Sequence, residues 1–287
     1  MKTTPSVLIT DASSDIGAAY AERFASRGHD LVLVGCDRLR MDALATHLRQ
    51  KSGVAVDVIP VDLTQPDELA VVEARLREDR RIGVLVNNAG MSIGGHFLEQ
   101  QPDDIERLVA LNTIALVRLA RAVSPRFAAA GEGAIINIGS VIGLAPEFGA
   151  TVYGATKAFV LFLSQGLSLE LAPSGVYVQA VLPAATPTEI GQHADANIES
   201  SSVARDIGAF VEAALIGFDN REPVTIPPLQ EFRQWTAYQY ARQAMLPIFA
   251  QAHPAIRYRL MHSPIANCVR RAPVLFTQTE DSLILKQ

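Results

Sequence analysis

Residues 135–160 read IINIGSVIGLAPEFGATVYGATKAFV. An apolar run of strand length (134–138) ends in Gly139-Ser140, and after a loop Tyr153 stands on what reads as the first turn of a helix. Ser140 precedes Tyr153 by thirteen positions and Lys157 follows it by four. Residues four apart on a helix share a face, so the Lys157 ammonium can sit beside the Tyr153 phenol and favour its charged form. A free phenol titrates near pH ~10 and is a poor acid or base at neutrality. Ser140, arriving from a strand end, brings a hydroxyl able to hold a carbonyl oxygen. The set suits adding or removing a proton at a carbonyl or alcohol oxygen.

Working outward, apolar runs of strand length alternate with helical patterns: 6–9, 31–34, 54–61, 82–86, 134–138 and 176–182. They are continuous rather than alternating, as a parallel sheet covered on both faces requires. That order predicts βαβ units, right-handed crossovers and an α/β, doubly wound sheet, whose ligands bind beyond the carboxyl ends of the strands. Ser13, Asn87, Ser140 and Pro183 fall on that edge. After a polar segment (192–202), Val203, Ile207, Phe210, Val211, Ala214, Leu215 and Phe218 repeat at helical spacing. A short strand (224–226) and a helix (231–245) follow, the latter with a packing stripe of Trp235, Tyr238 and Met245. Residues 261–287 show no period and read as an appendage to one domain of residues 1–260.

A bare Tyr-x-x-x-Lys occurs on many helices as a surface pair. Here it stands with Ser140, with Asn87-Asn88-Ala89-Gly90 after an apolar strand, with Asn112 in LVALNTIAL, and with Pro183 and Thr188 after the strand 176–182. In that order and spacing the chain resembles the short-chain dehydrogenase/reductase family over residues 6–226. The resemblance implies a Rossmann-type fold, a nicotinamide dinucleotide cofactor, and Tyr153 as acid in ketone reduction and base in alcohol oxidation. It also implies that Lys157 binds the nicotinamide ribose and lowers the phenol pKa, that Ser140 orients the carbonyl, and that Asn112 holds a water in a relay. Thr10, Ser13, Ile16, Gly17, Asp62, Leu63, Asn88, Ala89, Gly90, Pro183 and Thr188 match cofactor-binding positions. Asp62 stands where the family bonds the adenine amino group, or else caps the helix beginning near Pro66. Asn87 matches a position that steadies the sheet.

The phosphate loop departs from the family's Thr-Gly-x-x-x-Gly-x-Gly. The chain reads Thr10-Asp11-Ala12-Ser13-Ser14-Asp15-Ile16-Gly17, and only the last glycine remains. Asp tolerates positive φ, so the turn can survive at Asp11, and Asp15 reads as a helix cap. A carboxylate about 5 Å from a phosphate costs roughly 3 kcal/mol at an effective dielectric of about 20. Beyond the second strand the chain reads Gly35-Cys36-Asp37-Arg38. An acid at 35 would select NAD and a base at 36 NADP, and neither is present. Asp37 either bonds a ribose from beyond that position or caps the next helix; Arg38, if the loop bends, reaches a 2'-phosphate. The expectation is NADP over NAD. Ala184 replaces the usual glycine after Pro183.

Of 287 residues, 19% are charged and 49% hydrophobic, with net charge -5, a well-cored chain without the basic cluster that nucleic acid or an anionic membrane demands. The longest apolar candidate, 134–145, is broken by Asn137, Gly139, Ser140 and Gly143, short of a membrane span. No leader pattern is seen, and Cys36 and Cys268 make neither a disulfide framework nor a metal site, so a cytoplasmic location is expected. The expected activity is hydride transfer between NAD(P)H and a ketone or secondary alcohol. Segments 91–97, 141–148 and 184–196 line a mainly apolar substrate pocket. A homodimer or homotetramer would use Ile114, Leu116, Phe159, Phe162 and Leu163 on the helices beginning near Asp103 and Val152. The alternative is a non-catalytic scaffold whose cofactor loop Asp11 and Asp15 have compromised.

Overall fold

Every residue of β1 (Ser6–Thr10) is buried, as a strand between two helical layers must be. The computed structural model describes residues 4–184 and 203–259. Besides β1 it contains β2 (Leu31–Gly35), β3 (Val56–Pro60), β4 (Ile82–Asn87), β5 (Gly133–Ile138), β6 (Val176–Val181) and β7 (Val224–Thr225), paired in parallel in the order β3-β2-β1-β4-β5-β6-β7. The registers Val7↔Leu31 and Leu85↔Ile135 align the apolar runs side by side. Alternate strand residues then feed opposite faces. Val7, Ile9, Leu31 and Leu33 join one core; Leu8, Val32, Leu85 and Ile135 join the other.

The first face is covered by α1 (Asp15–Ser26), α2 (Arg38–Ser52) and α7 (Val203–Asp219), which contribute Tyr20 and Phe24, Met41 and Leu48, and Val211 and Leu215. The second is covered by α3 (Pro66–Glu78) and α5 (Leu116–Ala130), with Leu69, Val72 and Leu76 against Leu119, Val123 and Phe127. Each such burial contributes about 1.5–3 kcal/mol. The helix α4 (Pro102–Val109) runs into α5 through one π-helical turn, Ala110–Ala115, so Pro102–Ala130 is continuous.

That continuity corrects the reading of 134–145 as the longest apolar candidate. The helix Pro102–Ala130 is, by length and composition alone, apolar enough to cross a membrane. Its apolar side is the one packed on the sheet and α3, and Arg118 pairs with Glu73 of α3 at 2.6 Å. Leu116, expected at a subunit interface, is likewise a core residue at 4% exposure.

The strand order reverses between β1 and β4: the chain steps outward to β2 and β3, then returns to β4 and continues to β7. The loops after β1 and β4 therefore diverge and open a cleft at the carboxyl edge. α6 (Thr151–Leu171), between β5 and β6, brings its N-terminal turns to the same edge. By compactness the chain divides between Gln230 and Glu231; the boundary expected at 260/261 lies outside the described residues. In the second unit α8 (Phe232–Gln243) buries Trp235, whose ring stacks on Tyr238 at 5.3 Å. Tyr238 and Met245 are about half exposed, so of the expected stripe only Trp235 is core. The tail 261–287 lies outside the described residues.

Candidate active site

Ser140 follows β5 in extended backbone and caps the short turn Val141–Leu144, its Oγ accepting from Ile142 N at 3.2 Å. Gly143 lets that turn lie directly on α6. A Cβ there would stand 2.6 Å from Lys157 C and from Ala158 N, backbone atoms that cannot swing away. Val141 N donates to Pro183 O at 2.9 Å, tying the turn to the end of β6. Tyr153 and Lys157 rise from α6, each 6% exposed. Lys157 Nζ donates to Ile138 O at 3.0 Å and lies 5.5 Å from the centre of the Tyr153 ring. A strand-end carbonyl thus fixes the ammonium against the phenol, and the arrangement read from spacing is present in space.

Asn112 sits in the π-helical turn and is buried. Its Oδ1 accepts from Met91 N at 2.9 Å, and its Nδ2 donates to Met91 O and to Thr156 Oγ1, each at 3.0 Å. The amide clamps the loop after β4 to α6, a structural job distinct from the water-holding role that resemblance implied. Thr156 Oγ1 in turn donates to Tyr153 O at 2.7 Å. Thr156 was not foreseen; the available signal was a hydroxyl next to Lys157, on the side of α6 that carries Tyr153. Asn87 bonds Asn137 across to β5 at 2.9 Å, and Asn137 bonds Ser164 of α6 at 2.9 Å. The resemblance's sheet-steadying role for Asn87 agrees with that chain of bonds, and Asn137 was its unread partner.

The turn after β1 is stitched by neighbours. Thr10 Oγ1 accepts from Asn88 N at 3.0 Å and Ala89 N at 2.9 Å. Asn88 Nδ2 reaches Thr10 O and Asp11 O at 3.2 Å and Ser14 Oγ at 3.0 Å. Both side chains are spent on holding the loop. Asp11 adopts φ 50, the left-handed conformation for which glycine is the usual choice and Asp an accepted one. The cap of α1 is Ser14, accepting from Gly17 N at 3.2 Å, and this corrects the assignment to Asp15. Asp15 occupies the first helical position, exposed, where its charge suits the dipole. Gly17 is required by contact: a Cβ would lie 2.2 Å from Asp11 O and 2.9 Å from Asn88 Nδ2. Burial pushes the Asp11 carboxyl from 3.8 up to about 6, the Ser14 hydroxyl holding back part of the rise.

At the end of β2, Asp37 caps α2 through Arg40 N at 3.0 Å and pairs with the Arg40 guanidinium at 3.3 Å. Of its two sequence readings, the cap is the one seen. Arg38 is exposed and pairs with Asp42 at 3.4 Å. Gly35 is snug: a Cβ would stand 3.3 Å from Met41 Sδ and 3.5 Å from Ser13 Oγ. Asp62 accepts from Thr64 N at 2.9 Å and Thr64 Oγ1 at 2.7 Å, with Arg107 at 3.6 Å. Gln65 occupies the N-cap position of α3, before Pro66, without a side-chain cap bond. The reading of Asp62 as that cap is therefore corrected, because its carboxylate closes the preceding turn instead. Leu63 is buried in the sheet's second core.

Asp11, Ser14, Asp15, Ile16, Asn88, Gly90, Ser140, Tyr153, Lys157 and Pro183 line one cleft of about 370 Å³, with Met91, Ile138 and Ile207 adding apolar wall. Gly90 faces the reactive corner, its missing Cβ being 3.4 Å from Lys157 Nζ. Thr188 and most of the segment 184–196 lie outside the described residues. Among the described residues no group of acids, His and Cys is arranged to hold a metal.

The model of the family described as short chain dehydrogenase matches residues 5–199. Among solved structures, the bulky-bulky ketone specific alcohol dehydrogenase from Comamonas testosteroni is 57% identical, superposes with a TM-score of 0.83, and is covered over 99% of its length by 90% of this chain. A short-chain dehydrogenase from Sphingobium yanoikuyae in complex with NADPH is 60% identical, with a TM-score of 0.82 and coverage of 89% of this chain and 100% of that one. The very-long-chain 3-oxoacyl-CoA reductase of Bos taurus is 36% identical over 189 residues, 64% of this chain; the match spans only 60% of that relative's length. With the sheet order, the cleft and the Ser140, Tyr153 and Lys157 corner already in place, the chain belongs to the short-chain dehydrogenase family.

Proposed function

We propose that this chain interconverts a bulky, largely apolar ketone and its secondary alcohol with a nicotinamide dinucleotide, preferring NADPH. The observation that carries the reading is the buried Tyr153 and Lys157 pair lining one cleft together with Ser140. The cleft suits a dinucleotide: Gly90 keeps side-chain bulk away from Lys157, Gly17 lets α1 start tight against the turn at Asp11, and the N-terminus of α1 at the cleft would favour a phosphate. When bound, that group supplies or accepts the hydride. As hydride reaches the carbonyl carbon, negative charge grows on oxygen, and Ser140 and Tyr153 are aimed to stabilise it more than the ground state. The Tyr153 phenol gives its proton to that oxygen, and Lys157, fixed by Ile138 O, favours the phenolate left behind. In oxidation the same phenolate removes the alcohol proton.

A ketone with two large substituents is favoured by the apolar wall of Met91, Ile138, Pro183 and Ile207 and by the named specificity of the Comamonas testosteroni relative. The NADPH preference is supported by the Sphingobium yanoikuyae complex and by Arg38, exposed beyond Gly35 and held only by a surface ion pair. We place Asp62 and Leu63 beside the adenine and Ile16 beside the pyrophosphate. The assembly is a homodimer or homotetramer through the exposed Ile114, Phe159 and Phe162. The rival reading, a non-catalytic scaffold, rests on Asp11 and Asp15 at the phosphate turn. The deciding experiment is oxidation of NADPH with a diaryl ketone, alongside fluorescence titration of NADPH and NADH. Turnover abolished by Tyr153→Phe, with cofactor affinity kept, supports the enzyme; cofactor binding with no turnover on any bulky ketone favours the scaffold.

A further inference from the structure

Asp11 is an acid that the chemistry above leaves unused, yet its position is held firmly. The turn at φ 50 is fixed by Asn88 from the loop after β4 and by Ser14 from its own side, so its backbone cannot shift without breaking those bonds, and the residue lines the cleft. The charged and titratable groups around it come from every neighbouring element. α1 presents Asp15, across the cleft stand Lys157 and Tyr153, and the loop after β2 presents Cys36. Asp62 of the loop after β3, Glu68 of α3 and Arg107 of α4 share the surroundings of Cys36 with Asp11: burial raises the thiol pKa, the fields of Asp62, Asp11 and Glu68 add to the rise, and Arg107 opposes it. Asp37 and Arg38 are engaged with Arg40 and Asp42. From the loop after β4, neutral Asn88 faces Asp11 and donates to its carbonyl oxygen. Asp11 thus sits in a part-buried pocket at the turn to which a helix N-terminus draws phosphate.

Resting on the dinucleotide binding proposed above, we infer that Asp11 takes up a proton from solvent when the cofactor's pyrophosphate enters the cleft, so that acid tightens cofactor binding and base weakens it. Pyrophosphate diester oxygens stay anionic throughout the neutral range, so it is the carboxylate that yields. Its carboxyl titrates at about 6 in the free protein, so at pH 7 about one molecule in ten already holds the proton. A phosphate anion at ~5 Å raises that value further. Once protonated, Asp11 changes from a repelling charge into a hydrogen-bond donor for a phosphate oxygen.

The test is calorimetric titration of the whole chain and of Asp11→Asn with NADPH between pH 5.5 and 8.5, in buffers of different ionisation enthalpy. Asp11→Gly serves as a second variant. The 2'-phosphate of NADPH titrates near pH ~6 itself, so the readout is the difference between proteins. The inference requires that at pH 7 the unmodified chain take up at least about half a proton more per cofactor than either variant. Its affinity should also fall at least tenfold further than theirs from pH 5.5 to 8.5. Equal proton counts with tight binding overturn the inference and leave the proposed function standing. Failure of all three proteins to bind NADPH at any pH overturns the proposed function, and the inference falls with it.

Discussion

Tyr153 and Lys157 are held both by packing, through a turn that touches the α6 backbone at Gly143, and by a hydrogen bond from Lys157 Nζ to Ile138 O, whereas the turn at Asp11 is held by hydrogen bonds from Asn88 and Ser14. Both regions line one cleft. The first tolerates no new atom because its neighbours are backbone. The second tolerates a residue other than glycine at a positive φ, because Asp reaches that conformation and Asn88 and Ser14 hold its backbone carbonyl. A fold can therefore keep the shape of a binding turn while changing its charge. The reactive corner has no such freedom, since shape and chemistry reside in the same side chains.

The comparison is broken most directly at Tyr153. Tyr153→Phe should lower kcat by about a thousandfold, within the range of a lost acid-base group, with the NADPH dissociation constant within about twofold of the unmodified value. Retention of a tenth of the rate in steady-state kinetics would move the acid-base role elsewhere.

Two alanines then sharpen the contrast. Gly143→Ala forces a methyl onto the Lys157 and Ala158 backbone and should cost about 1–3 kcal/mol of stability together with kcat. Gly17→Ala forces one onto Asp11 O and should weaken NADPH instead. Urea unfolding and cofactor titration of both variants check this; the same pattern of losses in the two would erase the distinction.

A smaller effect separates charge from shape at Asp11. A carboxyl whose folded pKa is raised to about 6 stabilises fully below its unfolded value of ~3.8. That contribution is lost as pH rises through the folded value, a span worth up to about 3 kcal/mol. Asp11→Asn, which keeps the positive φ accessible, should therefore be more stable than the unmodified chain at pH 8, and the gain should shrink toward pH 4. Urea midpoints at both pH values measure it, and a gain independent of pH would mean that the carboxyl is not the source.

The smallest effect is expected at Thr156. Thr156→Val should lower kcat about tenfold and shift its pH profile, with Thr156→Ser restoring both, if the bond to Tyr153 O positions the phenol. A loss that serine does not restore would reduce Thr156 to packing.

The periodicities that make parallel strands, and the spacing of Ser140, Tyr153 and Lys157, were legible in the residue order because both are local: helical and strand geometry convert sequence separation into direction. The continuous apolar strands needed no partner to be read, since burial on both faces leaves that mark. The clamp from Asn112 to Met91 and Thr156, and the bonds from Asn88 to the turn at Asp11, depend on where a chain comes to rest against segments distant in sequence. So does the burial that carries Asp11 to about 6. The residue order alone determined which groups this protein carries to the carboxyl edge. Only the tertiary structure decided which of them bond to one another, because desolvation and hydrogen-bond partners are properties of surroundings that folding assembles.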